Sequence, residues 1–173
     1  MRRELLILRH GKSDWGGDTD DFHRPLKGRG KRGAELIAGW LLHQGLVPDH
    51  VVSSPAVRAI ETARRACEAM GVAAGAIHTD HEIYLASREE LLAVLATVPD
   101  SAKRVLLVGH NPGLEDLLLH LGGHAVALPE DGKLLPTATL AHLSMPEAWD
   151  ELTEGCAELR TLIRPAALSD LND

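Results

Sequence analysis

The segment Leu5-Leu6-Ile7-Leu8-Arg9-His10-Gly11 constrains this chain more than any other: an aliphatic run stops abruptly at a cation, an imidazole and a glycine. A short unbroken apolar run has no polar face, so it reads as a strand buried on both sides, as in a parallel sheet covered by helices. The pattern recurs as Val105-Leu106-Leu107-Val108-Gly109-His110-Asn111-Pro112. The ends of such strands are where α/β proteins assemble their sites. Two strands therefore each bring a histidine to a rim, and Arg9 beside the first makes an anion-handling site the expectation.

Strand and helix signals alternate along the 173 residues, which predicts a single α/β domain over 1–173 with a mostly parallel central sheet flanked by helices on both faces. A polar loop covers 12–27, and its acidic run at 18–21 is expected to be a solvated face. A helix is predicted over about 30–44, with Ala34, Ile37, Ala38 and Leu41 on one side and Gly45 as its stop. Val51-Val52 is the next strand. Ser54 then caps a helix with Pro55 in its first position, Ile60, Ala63, Cys67 and Met70 facing inward, and Gly71 ending it.

A weak strand near 76–78 precedes a loop through Glu82 and Tyr84, and Ser87-Arg88-Glu89-Glu90 matches a capping box ahead of Leu91, Val94, Leu95 and Val98. The second histidine strand spans about 104–108. Asn111-Pro112 starts a helix that buries Leu114, Leu117, Leu118 and Leu121 and stops at Gly122. A loop over 124–136 leads to two late strands, 139–144 and 158–164, antiparallel at an edge of the sheet. The tail after Pro165 is polar and expected to fray.

A net charge of −7 and 3% aromatic residues argue against a nucleic-acid binder. An anionic substrate therefore requires positive charge concentrated locally against an unfavourable average. The two cysteines, Cys67 and Cys156, lack metal-ligand spacing and suggest no disulfide framework; Cys67 falls on the apolar side of its helix and reads as a buried thiol. No apolar stretch reaches membrane-span length, and the first strand begins too early for a signal peptide, so a cytoplasmic protein with no membrane partner is expected. Two local motifs mislead. Gly11-Lys12-Ser13 resembles the end of a phosphate-binding P-loop, but the required earlier glycine is Leu6. Gly28-Arg29-Gly30-Lys31-Arg32-Gly33 matches the dinucleotide fingerprint literally, yet follows a polar loop and not a strand, so it reads as a turn and a basic helix start.

Taken together, Leu8-Arg9-His10-Gly11, Ser53-Ser54-Pro55-Ala56-Val57-Arg58-Ala59 and Val108-Gly109-His110-Asn111-Pro112 resemble the histidine phosphatase superfamily, which includes phosphoglycerate mutases, acid phosphatases and short bacterial phosphohistidine phosphatases. Arg24-Pro25-Leu26 before a glycine-led helix fits the bacterial short form. The resemblance implies a phosphoglycerate mutase-like fold and phosphoryl chemistry without metal or cofactor. It also implies a phosphorylated protein or a small phosphoester as substrate, and a monomer is expected.

Within it, His10 is the nucleophile, because a neutral imidazole can attack phosphorus at neutral pH. Gly11 leaves backbone room for the phosphoryl group. Arg9 and Arg58 bind its oxygens through planar donor forks; Arg58, one turn into its helix, leans back toward the rim. A surface ion pair with Glu61 is the alternative for Arg58. His110 contacts the transferring group and, if protonated, stabilises charge on its equatorial oxygens. Taken singly, either histidine could be structural. Asn111 reads as a helix cap. Lys12 and Ser13 either touch phosphate or belong to an exposed loop. Glu82 stands where the family often places a general acid, with a solvated carboxylate as the equal alternative. The remaining eight histidines show no ligand-like spacing.

The loop between the second and third helices is short, which leaves the rim open to a phosphorylated side chain of another protein. Expelling imidazole from phosphohistidine also demands less acid assistance than expelling an alkoxide. A phosphohistidine phosphatase is therefore the expectation. A phosphatase of small monoesters using Glu82, and a non-catalytic phosphate-binding adaptor, are the alternatives.

Overall fold

A computed structural model describes residues 2–169. In chain order its elements are β1 (Arg3–Arg9), α1 (Gly28–His43), β2 (His50–Ser53), α2 (Val57–Met70), β3 (Ile77–Thr79), α3 (Arg88–Ala96), β4 (Arg104–Gly109), α4 (Gly113–Gly122), β5 (Leu140–Met145), β6 (Glu158–Ile163) and α5 (Pro165–Ser169). The strands form one sheet in the order β3-β2-β4-β1-β5-β6. The first four in chain order are mutually parallel, β5 runs antiparallel to β1, and β6 antiparallel to β5 at the edge.

The unbroken apolar runs have a direct cause. Leu5, Ile7, Val105 and Leu107 pack beneath the leucines of α3 and α4. Their alternates Leu6, Leu8, Leu106 and Val108 pack against α1, α2 and α5 on the other face. All eight are fully buried, each stabilising the fold by roughly 1.5–3 kcal/mol. This is the expected three-layer α/β arrangement, with an antiparallel portion two strands wide. No described helix is long and apolar enough to cross a membrane.

Register fixes the site. Arg9 pairs with Gly109 across β1 and β4, so His10 and His110 leave adjacent strands at the same level. The amide of Ser54 donates to the Val108 carbonyl at 3.0 Å, which brings the end of β2 alongside.

Three local expectations are corrected. Ser54 does not cap a helix starting at Pro55: α2 begins at Val57 after an extended Ala56, with no side-chain cap, and the Ser54 hydroxyl accepts from the Ala56 amide at 3.2 Å and meets His110 Nε2 at 2.8 Å. Asn111 does not cap α4, which begins at Gly113; its side-chain amide donates instead to the Leu135 carbonyl at 2.8 Å. The chain after Pro165 forms α5, whose Leu168 joins the core, while 170–173 lie outside the described residues. Ile60 is half-buried where Ala63, Cys67 and Met70 are buried. Burial pushes the Cys67 thiol up to about 11, so it is an inert core group.

Helix α1 approaches the loop after β1 backbone to backbone. A Cβ on Gly30 would lie 2.3 Å from the Lys12 carbonyl oxygen, and one on Gly11 would lie 2.6 Å from the carbonyl oxygen of Gly30, whereas one on Gly39, in the same helix, would meet nothing within 4 Å. Gly30→Ala should therefore destabilise the protein by about 1–3 kcal/mol through overpacking. Gly39→Ala should stabilise it by up to ~1 kcal/mol through helix propensity. Denaturant unfolding of the two variants, with opposite signs expected, checks this.

Candidate active site

At the carboxyl ends of β1, β2 and β4 lies a cleft of about 280 Å³ whose walls carry Arg9, Lys12, Arg24 and Arg58 against a single carboxylate, Asp21. In a chain of net charge −7, this is the local concentration of positive charge that an anionic ligand requires.

His10 is buried at the base of the cleft. Its Nδ1 donates to the carbonyl of its neighbour Gly11 at 2.8 Å, which fixes the tautomer and leaves Nε2 with a free lone pair. That Nε2 accepts only a long contact from the Arg58 Nε, at 3.4 Å. Burial, reinforced by the charges of Arg58, Arg9 and Arg24, lowers the His10 pKa to about 4, although its hydrogen bond to Gly11 opposes this. The ring is thus uncharged at neutral pH.

His110 lies 5.2 Å away, ring centroid to ring centroid, tilted by 53°. Burial, then the neighbouring His10 and Arg58, lower its pKa to about 3. The ring is thus uncharged at neutral pH, so the condition that it be protonated is not met in the resting site. Its Nε2 meets the Ser54 hydroxyl, and its Nδ1 is buried without a partner. When Ser54 donates to Nε2, Nδ1 carries the proton and can donate to a bound oxygen without a net charge.

The guanidinium groups are held from behind. Arg58, buried on α2, donates from one terminal nitrogen to the Asp21 carbonyl at 2.6 Å and from the other to the Asp21 carboxylate at 3.0 Å. Its partner is thus Asp21 and not Glu61. Arg24 is buried; it donates to Asp21 at 3.1 Å and to the Ser13 hydroxyl at 2.6 Å, and its guanidinium lies 3.5 Å from the ring centre of Trp15. Tyr84 donates to the other Asp21 oxygen at 2.6 Å and sets its ring edge-on to His110. Partial burial would raise the Asp21 pKa, but hydrogen bonds from Tyr84 and Arg58, the Arg58 charge and a hydrogen bond from Arg24 together lower it to about 2. Arg9 donates to the Leu135 carbonyl at 3.1 Å, and its Nε is buried without a partner. Three of the four unpartnered buried polar atoms among the described residues belong to Arg9, His110 and Asn111, all in the cleft wall. These groups are the hydrogen-bonding atoms that the cleft wall leaves available.

The structure brings His10, His110, Arg9, Arg58, Lys12 and Ser13 to one cleft. Ser13 is buried and anchors Arg24; Lys12 is exposed on the rim. Gly11 does not line the cleft: its amide donates to the Thr62 hydroxyl at 3.0 Å, and its missing side chain makes room for Gly30. Glu82 is exposed on the single turn His81–Ile83 and is not among the cleft-lining residues. The carboxylate in the cleft is Asp21, read from the sequence as part of a solvated run. Arg24, Tyr84 and Trp15 were also missed as site residues. Scarcity was the available signal, since the chain has a single Tyr and a single Phe, and these two rings meet at 5.1 Å beside the cleft. Among the described residues no cluster of His, Cys, Asp or Glu is arranged to hold a metal ion.

This fold is that of the histidine phosphatases. The chain belongs to the histidine phosphatase superfamily, whose branch 1 pattern matches residues 5–84. It is 31% identical over 156 residues to the uncharacterized protein Rv1276c of Mycobacterium tuberculosis, spanning 88% of this chain and 96% of that one. Among solved structures, it is similar to the protein assigned as phosphohistidine phosphatase SixA in Nakamurella multipartitia, with a TM-score of 0.78, 30% identity, and coverage of 95% and 97% of the two chains. The corresponding SixA assignment in Agrobacterium tumefaciens gives a TM-score of 0.79, 30% identity, and coverage of 95% and 99%.

With folded-state pKa values near 4 and 3, both site imidazoles should stay neutral well below the usual histidine range near 6.5. Proton NMR, with His10→Asn and His110→Asn variants for assignment, should show their ring resonances flat from about pH 8 to 5. The same displacement should make the fold lose stability as pH falls from about 6.5 toward 4, since the unfolded chain takes up these protons first.

Proposed function

We propose that this protein is a metal-independent phosphatase working through a phosphohistidine on His10, and that its substrate is phosphohistidine in another protein. The observation that carries the proposal is the His10 imidazole: uncharged, tautomerically fixed by the Gly11 carbonyl, and presenting Nε2 beside Arg58 within a cationic cleft.

In the first displacement the Nε2 lone pair bonds to phosphorus while the bond from phosphorus to the substrate nitrogen breaks. The departing imidazole leaves neutral when its other nitrogen carries a proton, so the enzyme need not supply one. In the second, water attacks phosphorus, the bond to Nε2 breaks, and the proton lost by water leaves with the phosphate. Arg9, Arg58 and the Nδ1 of His110 bind the equatorial oxygens in both steps, supplying the charge that magnesium provides in other phosphoryl-transfer sites.

Two features favour phosphohistidine over an alkyl monoester. The carboxylate lining the cleft is held ionised by its arginines and Tyr84, so it is a poor proton donor for an alkoxide. Trp15 and Leu85, 74% and 58% exposed, stand on the cleft wall as apolar contacts suited to another protein's surface. All the groups involved come from one chain, so a monomer suffices. The SixA assignments of the similar structures agree with the substrate.

The test is phosphate release from a histidine-phosphorylated protein and from p-nitrophenyl phosphate, by wild type, His10→Ala and Arg58→Ala. Wild type should prefer the phosphohistidine substrate and, when quenched, carry acid-labile, alkali-stable phosphate on His10. His10→Ala should lose at least ~10³-fold in rate, and Arg58→Ala about 10²-fold or more. A preference for the ester would overturn the substrate; tight phosphate binding with neither release nor phosphoenzyme would establish the adaptor alternative.

A further inference from the structure

A second depression, of about 390 Å³, adjoins the active-site cleft and shares Lys12 and Thr137 with it. Its charged wall is made by Arg29 and Arg32 of α1 together with Lys12 and Arg164. Arg29 and Arg32 are three residues apart and so lie on one face of the helix. Arg164 is already satisfied, its two terminal nitrogens held by Asp131 at 2.6 and 2.9 Å. Lys12, Arg29 and Arg32 are exposed, and no ion pair among the described residues engages them. Among the described residues no carboxylate lines the depression, and the apolar Leu36 is part of its wall. These arginines belong to the basic run Gly28-Arg29-Gly30-Lys31-Arg32-Gly33. Its glycines Gly30 and Gly33 are explained by close packing; its cations have no part in the cleft chemistry.

We propose that this groove is a docking subsite for acidic residues flanking the phosphorylated histidine of a protein substrate. The inference rests on the phosphohistidine phosphatase function proposed above. Three considerations carry it. The groove opens from the same rim as the catalytic cleft, so a polypeptide whose side chain reaches His10 continues past Lys12 into it. Among the described residues its free charge is uniformly positive, on a chain of net charge −7, which gives complementarity to acidic segments. Its volume of about 390 Å³ and the apolar Leu36 in its wall suit a stretch of polypeptide and exceed what one further anionic group needs.

The experiment compares phosphohistidine peptides identical except for three aspartates or three serines on one flank, testing each flank in turn, with phosphoramidate as a small control substrate. Wild type should hydrolyse one acid-flanked peptide with a kcat/KM about three- to tenfold higher than its serine counterpart at low ionic strength, as expected for two or three exposed charge pairs. The preference should vanish in about 0.5 M salt and in Arg29→Ala/Arg32→Ala, which should hydrolyse phosphoramidate at the wild-type rate. Equal turnover of all the peptides by wild type, or a preference surviving the double substitution, would overturn the docking subsite while leaving the proposed function intact. Better turnover of a small bis-phosphorylated compound than of either peptide, lost on the same substitutions, would assign the groove to a small substrate and overturn it equally. Should no phosphohistidine peptide be hydrolysed, the proposed function fails. Docking is then read from fluorescence anisotropy of the unphosphorylated peptides, where tighter binding of an acid-flanked peptide, abolished in the double variant, supports the groove and equal binding refutes it.

Discussion

The parallel pairing of β1 with β4 is the contact on which the rest of the site depends. Its register sets Arg9 opposite Gly109, and the His10 amide continues the ladder by donating to the Gly109 carbonyl at 3.1 Å. Two residues a hundred positions apart thereby become near neighbours, their rings 5.2 Å apart. Hydrogen bonding and burial of both strand faces fix that distance together, since sliding the strand by one residue would turn its apolar side chains to the wrong layers. The imidazoles are placed by the most rigid part of the molecule, as a site requiring sub-ångström precision needs.

Electrostatics then divides labour among groups of like charge. Arg24 and Arg58 share the Asp21 carboxylate, which restrains two cations that would otherwise repel each other and disorder. Arg9 is restrained differently, by the Leu135 carbonyl, which also accepts from Asn111; the amide of Leu135 in turn donates to Glu115 at 3.1 Å. Cations anchored in advance lose little freedom on meeting a phosphoryl group, so more of the attraction is expressed in binding and in the transition state. The same positive field, together with burial, keeps both histidines neutral. For the nucleophile proposed at His10 that is the useful state.

The strands, the helix faces and the carriers of the principal charges were legible in the sequence because each leaves a local trace: an apolar run, a 3.6-residue period, a histidine at a strand end. What escaped depends on partners distant in the chain. Ser54 and Asn111 have the composition of helix caps, and only the fold discloses that their side chains serve His110 and the Leu135 carbonyl. Asp21 looked like one solvated acid among several; its exposed neighbour Asp20 behaves that way, pairing with His23. Nothing local separates the two, because the distinction lies in Arg58, 37 positions away. Gly11 reads as leaving room for the phosphoryl group, but it does not line the cleft. The group approaching it is the backbone of α1.

That crossing of Gly11 and Gly30 ties chemistry to an element that donates no reacting atom. The carbonyl that orients the His10 ring belongs to Gly11, whose amide is tethered to Thr62 of α2 and whose Cα abuts Gly30. Helices α1 and α2 thus act as a two-sided vice on the peptide that orients the proposed nucleophile. On the proposed mechanism, lesions in their packing would surface as mis-aimed attack before they surfaced as unfolding, and a census of damaging substitutions would extend well beyond the residues proposed to meet phosphate.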